Sequence, residues 1–331
     1  MMAFNSSQLQ RIVFGVGIIL FFIKIIAWWL TDSTAVLTDA LESTINIVAA
    51  GFTLYSIYLS NTPKDLNHPY GHGKIQFIAA TVEGALIVVA GVFIFIHSIN
   101  DFFEQPELRA LDWGGVLILS TAIINFFLGY WMIQHGKKSN ELVLVAGGKH
   151  LQTDTWSSLA IVIGLFLVHF TNLHWIDSGL AFLLSIYIFI SGYKIMRESI
   201  AGIMDETNPE IIEKIVEVFN KYRKDVWIDV HNVRIIQFGN SLHIDAHITM
   251  PWYMSVKDSH EEISTVAALM EHELQQPVEL FIHIDPCIPS SCKICLLQHC
   301  DKRIHPFEQK LIWDSTQLMP NKKHKSSLGK F

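Results

Sequence analysis

Long apolar runs fill the first 193 residues of the chain and are separated by short polar linkers. About 20 apolar residues are enough to cross the hydrocarbon core of a bilayer as a helix. Lipid offers the backbone no hydrogen bonds, so a segment within it must satisfy its own polar groups, as an α-helix does. We therefore predict an α-helical membrane protein with six transmembrane helices. The predicted spans are approximately residues 11–30, 34–60, 75–99, 113–134, 142–170 and 174–193.

Charge is distributed unevenly along the 331 residues. Only 17% of them are charged, against about 25% in an average soluble domain, and most of this charge lies after residue 205. We therefore expect a membrane domain at 1–200, a soluble domain at 206–286 and a separate C-terminal segment at 287–331. The net charge of −7 argues against a nucleic-acid surface. No Gly-rich phosphate loop or Walker pattern appears, and we expect neither enzymatic activity nor an organic cofactor.

The linkers predict the orientation in the membrane. An even number of spans puts both termini on one side, and an excess of Lys and Arg marks the cytoplasmic side. We therefore expect a multi-pass protein of the cell membrane with both termini in the cytoplasm. The linkers on the predicted cytoplasmic side contain Lys64, Lys74, Lys137, Lys138, Lys149, Lys194 and Arg197. The opposite loops contain Asp101, Glu104, Glu107, Arg109 and Asp112.

Two predicted spans each carry a pair of metal-ligand side chains one helical turn apart. Glu42 and Asn46 lie on the second span, and His150 and Asp154 lie on the fifth. Residues i and i+4 share a helix face, and a carboxylate in the middle of a span costs roughly 2.5–3.5 kcal/mol on insertion scales. Two carboxylates, an amide oxygen and an imidazole can hold a divalent cation, which offsets that cost. Asp39 is an alternative ligand or proton acceptor on the second span.

Other polar residues leave more than one interpretation open. A buried hydrogen-bonded network that holds the helices together is the alternative to a metal site in the spans. Lys24 is expected to snorkel or to pair with a polar neighbour, and Glu83 on the third span receives no assigned role. In the linker after the second span, Asp65, His68 and His72 bring a carboxylate and two imidazoles within eight residues. This density favours a second metal site over a solvated loop.

The soluble part predicts an α+β domain in the order helix, strand, strand, helix, strand. Asn208 is the expected N-cap of the first helix, and Pro209 is its first residue. The two alternating segments that follow are joined by Gly239 and Asn240, a pattern typical of a β-hairpin. On the last strand, His283 and Asp285 are two residues apart and share a face, which favours joint ligation of a metal.

All four cysteines lie in the short stretch "DPCIPSSCKICLLQHC", at Cys287, Cys292, Cys295 and Cys300. Because the predicted topology places them in the cytoplasm, structural disulfides are not expected. The Cys-x-x-Cys pair with flanking cysteines and His299 fits a thiolate site for zinc. A reduced set that is merely packed or reactive is the alternative. The basic tail from Pro320 onward is expected to be disordered.

Several separated motifs resemble those of the cation diffusion facilitator family. They are "AWW" at the end of the first span, the second-span pair, "NHPYGHGK" in the linker and "KHLQTDTWSS" on the fifth span. The resemblance extends from about residue 11 to residue 287 and keeps the motifs in order. It implies a homodimeric antiporter that exports a divalent metal from the cytoplasm in exchange for protons.

The resemblance also implies where the transported metal binds and which metal it is. The family's transport site falls on Glu42, Asn46, His150 and Asp154. The family usually has His or Asp followed by Asp on the second span, so Glu and Asn make this site richer in oxygen. In the family, Asn in this pair often accompanies a preference for manganese. Zinc, manganese, iron and cobalt all remain candidates.

Further metal sites are implied by the resemblance outside the spans. The linker residues Asp65, His68 and His72 match an interfacial site of zinc-exporting relatives. The soluble domain resembles the ferredoxin-like domain through which relatives dimerise. Its cytoplasmic cluster, expected to hold zinc, falls on His231, His247, His260, His283 and Asp285. A packing role on the strands is the alternative for His231 and His247.

Two other classes of function remain open from the sequence. One is a membrane-tethered metal sensor or scaffold, in which the spans are only an anchor. The other is a proton-coupled carrier of an organic substrate. An anchor has no need of polar residues inside its spans, and an organic carrier predicts transport without metal competition.

Overall fold

A computed structural model describes residues 5–31, 34–104, 113–171 and 175–324, with only the backbone described for some of the helical residues. The chain divides into two compact units, Met1–Met204 and Asp205–Phe331. The first unit is helical, and the second combines helices with a small sheet. The predicted fold class of each half is confirmed.

Six long helices make up the described part of the first unit. Each has 26 to 30 residues, and three of the described stretches are long and apolar enough to cross a membrane: Ser6–Ile26, Ile75–Asn100 and Gly179–Ile203. The crossing of the bilayer by all six helices stays a prediction. The helices are α1 Ser6–Thr31, α2 Thr34–Ser60, α3 Ile75–Glu104, α4 Trp113–Ser139, α5 Leu142–Thr171 and α6 Trp175–Ile203.

The helices of the first unit approach one another closely at glycines. A Cβ atom added to Gly148 on α5 would lie 2.7 Å from the carbonyl oxygen of Gly129 on α4. The same relation holds between α3 and α6, where a Cβ on Gly192 would lie 2.9 Å from the carbonyl oxygen of Gly84. Small residues allow such backbone contact between helices within a membrane. Gly148 thus lets α5 lie directly against α4, two residues before His150.

Lys24 connects the first two helices. Its ammonium group donates a hydrogen bond to the hydroxyl of Ser43 on α2, at 2.8 Å between Nζ and Oγ. Ser43 is buried, with 6% of its surface exposed. Lys24 therefore has a polar neighbour, as predicted for a lysine within an apolar helix.

The second unit has the predicted order of elements, namely α7 Pro209–Lys221, β1 Asp229–Phe238, β2 Ser241–Met250, α8 Val256–Leu274 and β3 Val278–Pro286. Strand β2 lies in the middle of the sheet, antiparallel to β1 and parallel to β3. The β1–β2 hairpin turns at Gly239, whose φ of 60° suits a residue without a Cβ. Asn208 caps α7 by accepting a hydrogen bond from the backbone N–H of Glu210 at 2.9 Å.

The segment after β3 packs onto this unit rather than extending away from it. It contains a 3-10 helix, Pro289–Lys293, and a short helix α9, Ser315–Leu318. Trp313 is 1% exposed and belongs to the same core as Phe219 and Trp227. The predicted disorder of the tail is wrong for residues 320–324, because the backbone N–H of Asn232 on β1 donates to the carbonyl of Pro320 at 3.0 Å. Residues 325–331 lie outside the described part of the chain.

Replacing Gly148 by Val tests the contact between α4 and α5. We expect a loss of about 1–3 kcal/mol in the free energy of unfolding, since the added carbons must separate two backbones. Thermal unfolding of the purified protein in detergent measures this loss as a lower melting temperature. Gly17→Val on α1 is the matched control, because a Cβ there meets nothing within 4 Å. Equal melting of the two variants would contradict the close contact.

Candidate metal sites

Asn46, His150 and Asp154 meet between α2 and α5. The side-chain amide of Asn46 donates a hydrogen bond to Asp154 at 2.6 Å between Nδ2 and Oδ2. Its carbonyl oxygen lies 2.8 Å from Nε2 of His150. Nε2 of His150 is in turn 3.9 Å from Oδ2 of Asp154. Three of the four residues predicted for the transport site are therefore close enough to share one cation.

The other acidic residues predicted on α2 are Asp39 and Glu42. Both belong to the helix, but their side chains lie outside the part of the chain that the structure describes. Their contribution to the site stays a prediction.

Glu83 on α3 supports His150 from the other side of its ring. One carboxylate oxygen of Glu83 lies 3.3 Å from Nδ1 of His150, and the other accepts a hydrogen bond from Thr53 at 3.0 Å. Glu83 is 3% exposed and His150 is 8% exposed, so this contact is shielded from solvent. The sequence alone assigned Glu83 no role. A single acidic residue within an apolar span was the feature that could have indicated one.

The arrangement leaves one nitrogen of His150 for a metal. A carboxylate beside Nδ1 favours a proton on that nitrogen when a cation is bound, which frees the lone pair of Nε2 for the cation. Without a cation, the 2.8 Å contact of Nε2 with the carbonyl oxygen of Asn46 is a hydrogen bond that Nε2–H donates. The amide of Asn46 can offer a cation its oxygen after rotation about its last torsion. The described donors are thus one imidazole nitrogen, one amide oxygen and one carboxylate.

Asp65, His68 and His72 form a second group in the linker between α2 and α3. One ligand atom from each lies within 4.8 Å of the others. Oδ1 of Asp65 accepts hydrogen bonds from the backbone N–H groups of Asn67 and His68, at 2.9 and 2.6 Å. The pKa of Asp65 lies below its ordinary value chiefly because of the bond from His68. Oδ2 faces Nε2 of His72 at 3.6 Å.

Three histidines form a row across the sheet of the second unit. His231 on β1 is opposite His247 on β2, which is opposite His283 on β3. Oδ2 of Asp285 lies 3.4 Å from Nε2 of His231 and 3.2 Å from Nδ1 of His247. His231, His247 and Asp285 are within ligand distance of one another, with His283 at their edge. His260 is exposed on α8 and is not among the residues that this group brings together.

The C-terminal tail returns to the same group, which sequence reasoning did not predict. Lys323 places its ammonium group 3.3 Å from Oδ1 of Asp285. His324 binds Asp229, the residue at the start of β1, through its ring and its backbone N–H. Burial alone would raise the pKa of Asp229, but hydrogen bonds from His231 and His324 lower it to about 2. No local pattern could reveal these contacts, because the tail residues and their partners on β1 and β3 are far apart in the chain.

The four cysteines line one small cavity in the second unit, together with Trp252 and Tyr253. All four are free thiols, and the hydroxyl of Tyr253 donates a hydrogen bond to Sγ of Cys300 at 3.2 Å. Burial raises the pKa of the Cys287 and Cys295 thiols, and the neighbouring cysteines act in the same direction. The cysteines therefore gather at one place on the unit.

Comparison with known proteins agrees with the division of the chain into a helical first unit and a second unit with a sheet. Residues 11–204 match the family model of the cation efflux transmembrane domain, and residues 207–287 match that of the cation efflux protein cytoplasmic domain. The manganese efflux system protein MneP of Bacillus subtilis is 26% identical over 86% of this chain and 99% of its own length. The cation-efflux pump FieF of Cronobacter sakazakii is 25% identical over 82% of this chain and 90% of its own length. An uncharacterized transporter of Synechocystis is 29% identical over 72% of this chain and 77% of its own length.

The ion pair of His324 with Asp229 makes a prediction about pH. Its hydrogen bond to Asp229 raises the pKa of His324 above the ordinary 6.5, so the stabilisation is complete below that pH and is lost as the pH rises through the raised pKa. Asp229 stays ionised until the pH falls to about 2. We expect amide hydrogen exchange of residues 321–324, corrected for the intrinsic rate at each pH, to be slowest from about pH 4 to 6.5.

Replacing His324 by Ala should remove this pH dependence and speed the exchange of the tail. His272→Ala is the matched control, since the side chain of His272 is 82% exposed. A tail whose corrected exchange is the same in wild type and His324→Ala at every pH would contradict the ion pair.

Proposed function

The chain belongs to the cation efflux, or cation diffusion facilitator, family of divalent metal transporters, and we propose that it exports a divalent transition metal from the cytoplasm in exchange for protons. The observation that carries the proposal is the contact of Asn46 with both His150 and Asp154. The buried imidazole of His150 and the half-buried side chains of Asn46 and Asp154, from two apolar helices, face one another there. The basic linkers support an orientation with both termini in the cytoplasm.

Manganese(II) is the first candidate for the transported ion, and zinc is the second. Asn46, Asp154 and the predicted ligand Glu42 offer oxygen atoms, which suit manganese, whereas the imidazole of His150 also suits zinc, iron and cobalt. MneP, a manganese efflux protein by name, aligns with this chain over 99% of its own length. The oxygen-rich donor set therefore favours manganese without excluding the others.

Proton exchange follows from the chemistry of these ligands. A carboxylate and an imidazole must lose their protons before they bind a metal, so protons on the outer side compete with the ion for the site. His150 suits this competition because its Nε2 can hold either a proton or the ion. Glu83 keeps the ring of His150 oriented while Nε2 exchanges the ion for a proton. Rocking of the helices would expose the site to each side in turn.

The second unit supports homodimerisation and metal sensing as further parts of this proposal. Its family model is that of the cytoplasmic domain of cation efflux proteins. His231, His247 and Asp285 would bind a metal, with zinc as the expected ion because imidazoles predominate. A metal bound there in preference by one conformation of the dimer would shift the transport equilibrium toward that conformation.

Transport by the reconstituted protein tests the assignment. In proteoliposomes, wild-type protein should move manganese or zinc together with a counterflow of protons. Asp154→Ala and His150→Ala should each lower the metal flux at least about tenfold, because each removes a ligand. Asp225→Ala and His272→Ala, at exposed positions of the second unit, are the matched controls. Metal-dependent proton flux that survives both site variants would exclude this transport site and favour a sensor or an organic carrier.

Replacing Glu83 by Gln tests the orientation of His150. Loss of the partner that orients a metal-binding histidine typically weakens metal affinity about 10–100-fold. We expect a loss in this range, measured as the apparent affinity for manganese and for zinc in the same proteoliposomes. Glu198→Gln, at an exposed position on α6, is the control and should match wild type. Unchanged affinity in folded Glu83→Gln protein would show that His150 does not depend on Glu83.

A further inference from the structure

We propose that Cys287, Cys292, Cys295 and Cys300 bind one zinc ion as a structural site that fastens the segment after β3 to the second unit. The proposal is independent of the transport function. The family model of the cytoplasmic domain ends at residue 287, so three of the four proposed ligands lie beyond it. The site would therefore be an addition to the domain that the family shares.

The four cysteines line one cavity, although no three of their sulfur atoms lie within 4.8 Å of one another. Their common cavity has a volume of about 20 Å³, and roughly 10–15 Å³ is enough to hold a single water molecule. A zinc ion is smaller than water, and its binding would draw the four sulfur atoms together by rotation of the cysteine side chains. Other walls of the cavity are the aromatic rings of Trp252 and Tyr253, which would shield the ion from solvent.

The backbone around the cysteines is held in place by Arg303. Its guanidinium group donates hydrogen bonds to the carbonyl oxygens of Cys292, Cys295 and Leu297, at 2.7, 3.1 and 2.5 Å. At the other end of the segment, the backbone N–H of Cys287 donates to Met250 at 2.8 Å. Both parts of the chain that supply thiols are thus positioned by bonds that do not involve the sulfur atoms. Such preorganisation lowers the entropic cost of binding an ion.

The chemistry of the donors selects zinc. Four thiolates form the tetrahedral coordination that zinc adopts in structural sites, whereas manganese prefers oxygen ligands. A metal cross-link would also stabilise the segment after β3. Between residues 287 and 324 its regular structure is limited to a five-residue 3-10 helix and a four-residue α-helix.

Zinc content of the full-length protein, purified in detergent and dialysed against a weak chelator, tests the proposal. We expect each chain to hold one zinc ion at the cysteines in addition to any zinc at the transport site or at the sheet. This ion should persist in Asp154→Ala and in His247→Ala, because neither residue belongs to the cysteine site. The double variant with Cys292→Ser and Cys295→Ser should lose it, whereas Ser290→Ala, at a neighbouring position, should keep it. Loss of transport without loss of this zinc would affect the proposed function alone.

Two further measurements cover the case in which the double variant does not fold. Cobalt substituted into wild-type protein should show the thiolate-to-cobalt charge-transfer band of a sulfur-rich tetrahedral site. Titration of wild type with a mercurial reagent should release one zinc ion as four thiols react. The proposal is overturned if the band is absent, or if all four cysteines react without releasing a metal. A folded double variant with the same zinc content as wild type would also overturn it.

Discussion

The amide of Asn46, which touches His150 and Asp154 together, is the constraint on which the first unit depends. Each of these side chains is costly inside an apolar helix unless it has a polar partner. Because the three side chains satisfy one another, the faces of α2 and α5 that carry them must stay together. A divalent ion can replace the hydrogen bonds without moving the helices far, since its ligands would be Nε2 of His150, the amide oxygen of Asn46 and the carboxylate of Asp154. The same contact therefore holds the two helices together and would supply the ligands of the transported ion.

Neighbouring residues hold the contact between Asn46, His150 and Asp154 in place. Glu83 reaches His150 from α3, and Thr53 holds Glu83 from α2. Gly148 allows the backbone of α5 to approach α4 directly beside His150. An imidazole binds a metal well only when its ring is oriented and its proton is on the other nitrogen. These neighbours thus matter to the site although none of them is among its predicted ligands.

In the second unit, the candidate metal ligands of the sheet lie where the C-terminal tail packs against it. Strand pairing brings His231, His247 and Asp285 together, and the tail adds the ammonium group of Lys323 to Asp285. The ammonium group of Lys323 neutralises the charge of Asp285, as a metal bound there would. Metal binding at the sheet and docking of the tail therefore involve the same acidic residue.

The sequence by itself determined the helical first half, the order of elements in the second unit and the pairs of side chains that share one face of a helix or strand. These features follow from periodicity and turn chemistry, which act over a few residues. Only the tertiary structure decided that Glu83 supports His150, that His260 lies apart from the other histidines and that residues 320–324 pack against β1. Each of these outcomes depends on contacts between segments far apart in the chain. Such contacts are set by the packing of the whole unit and leave no pattern in the local sequence.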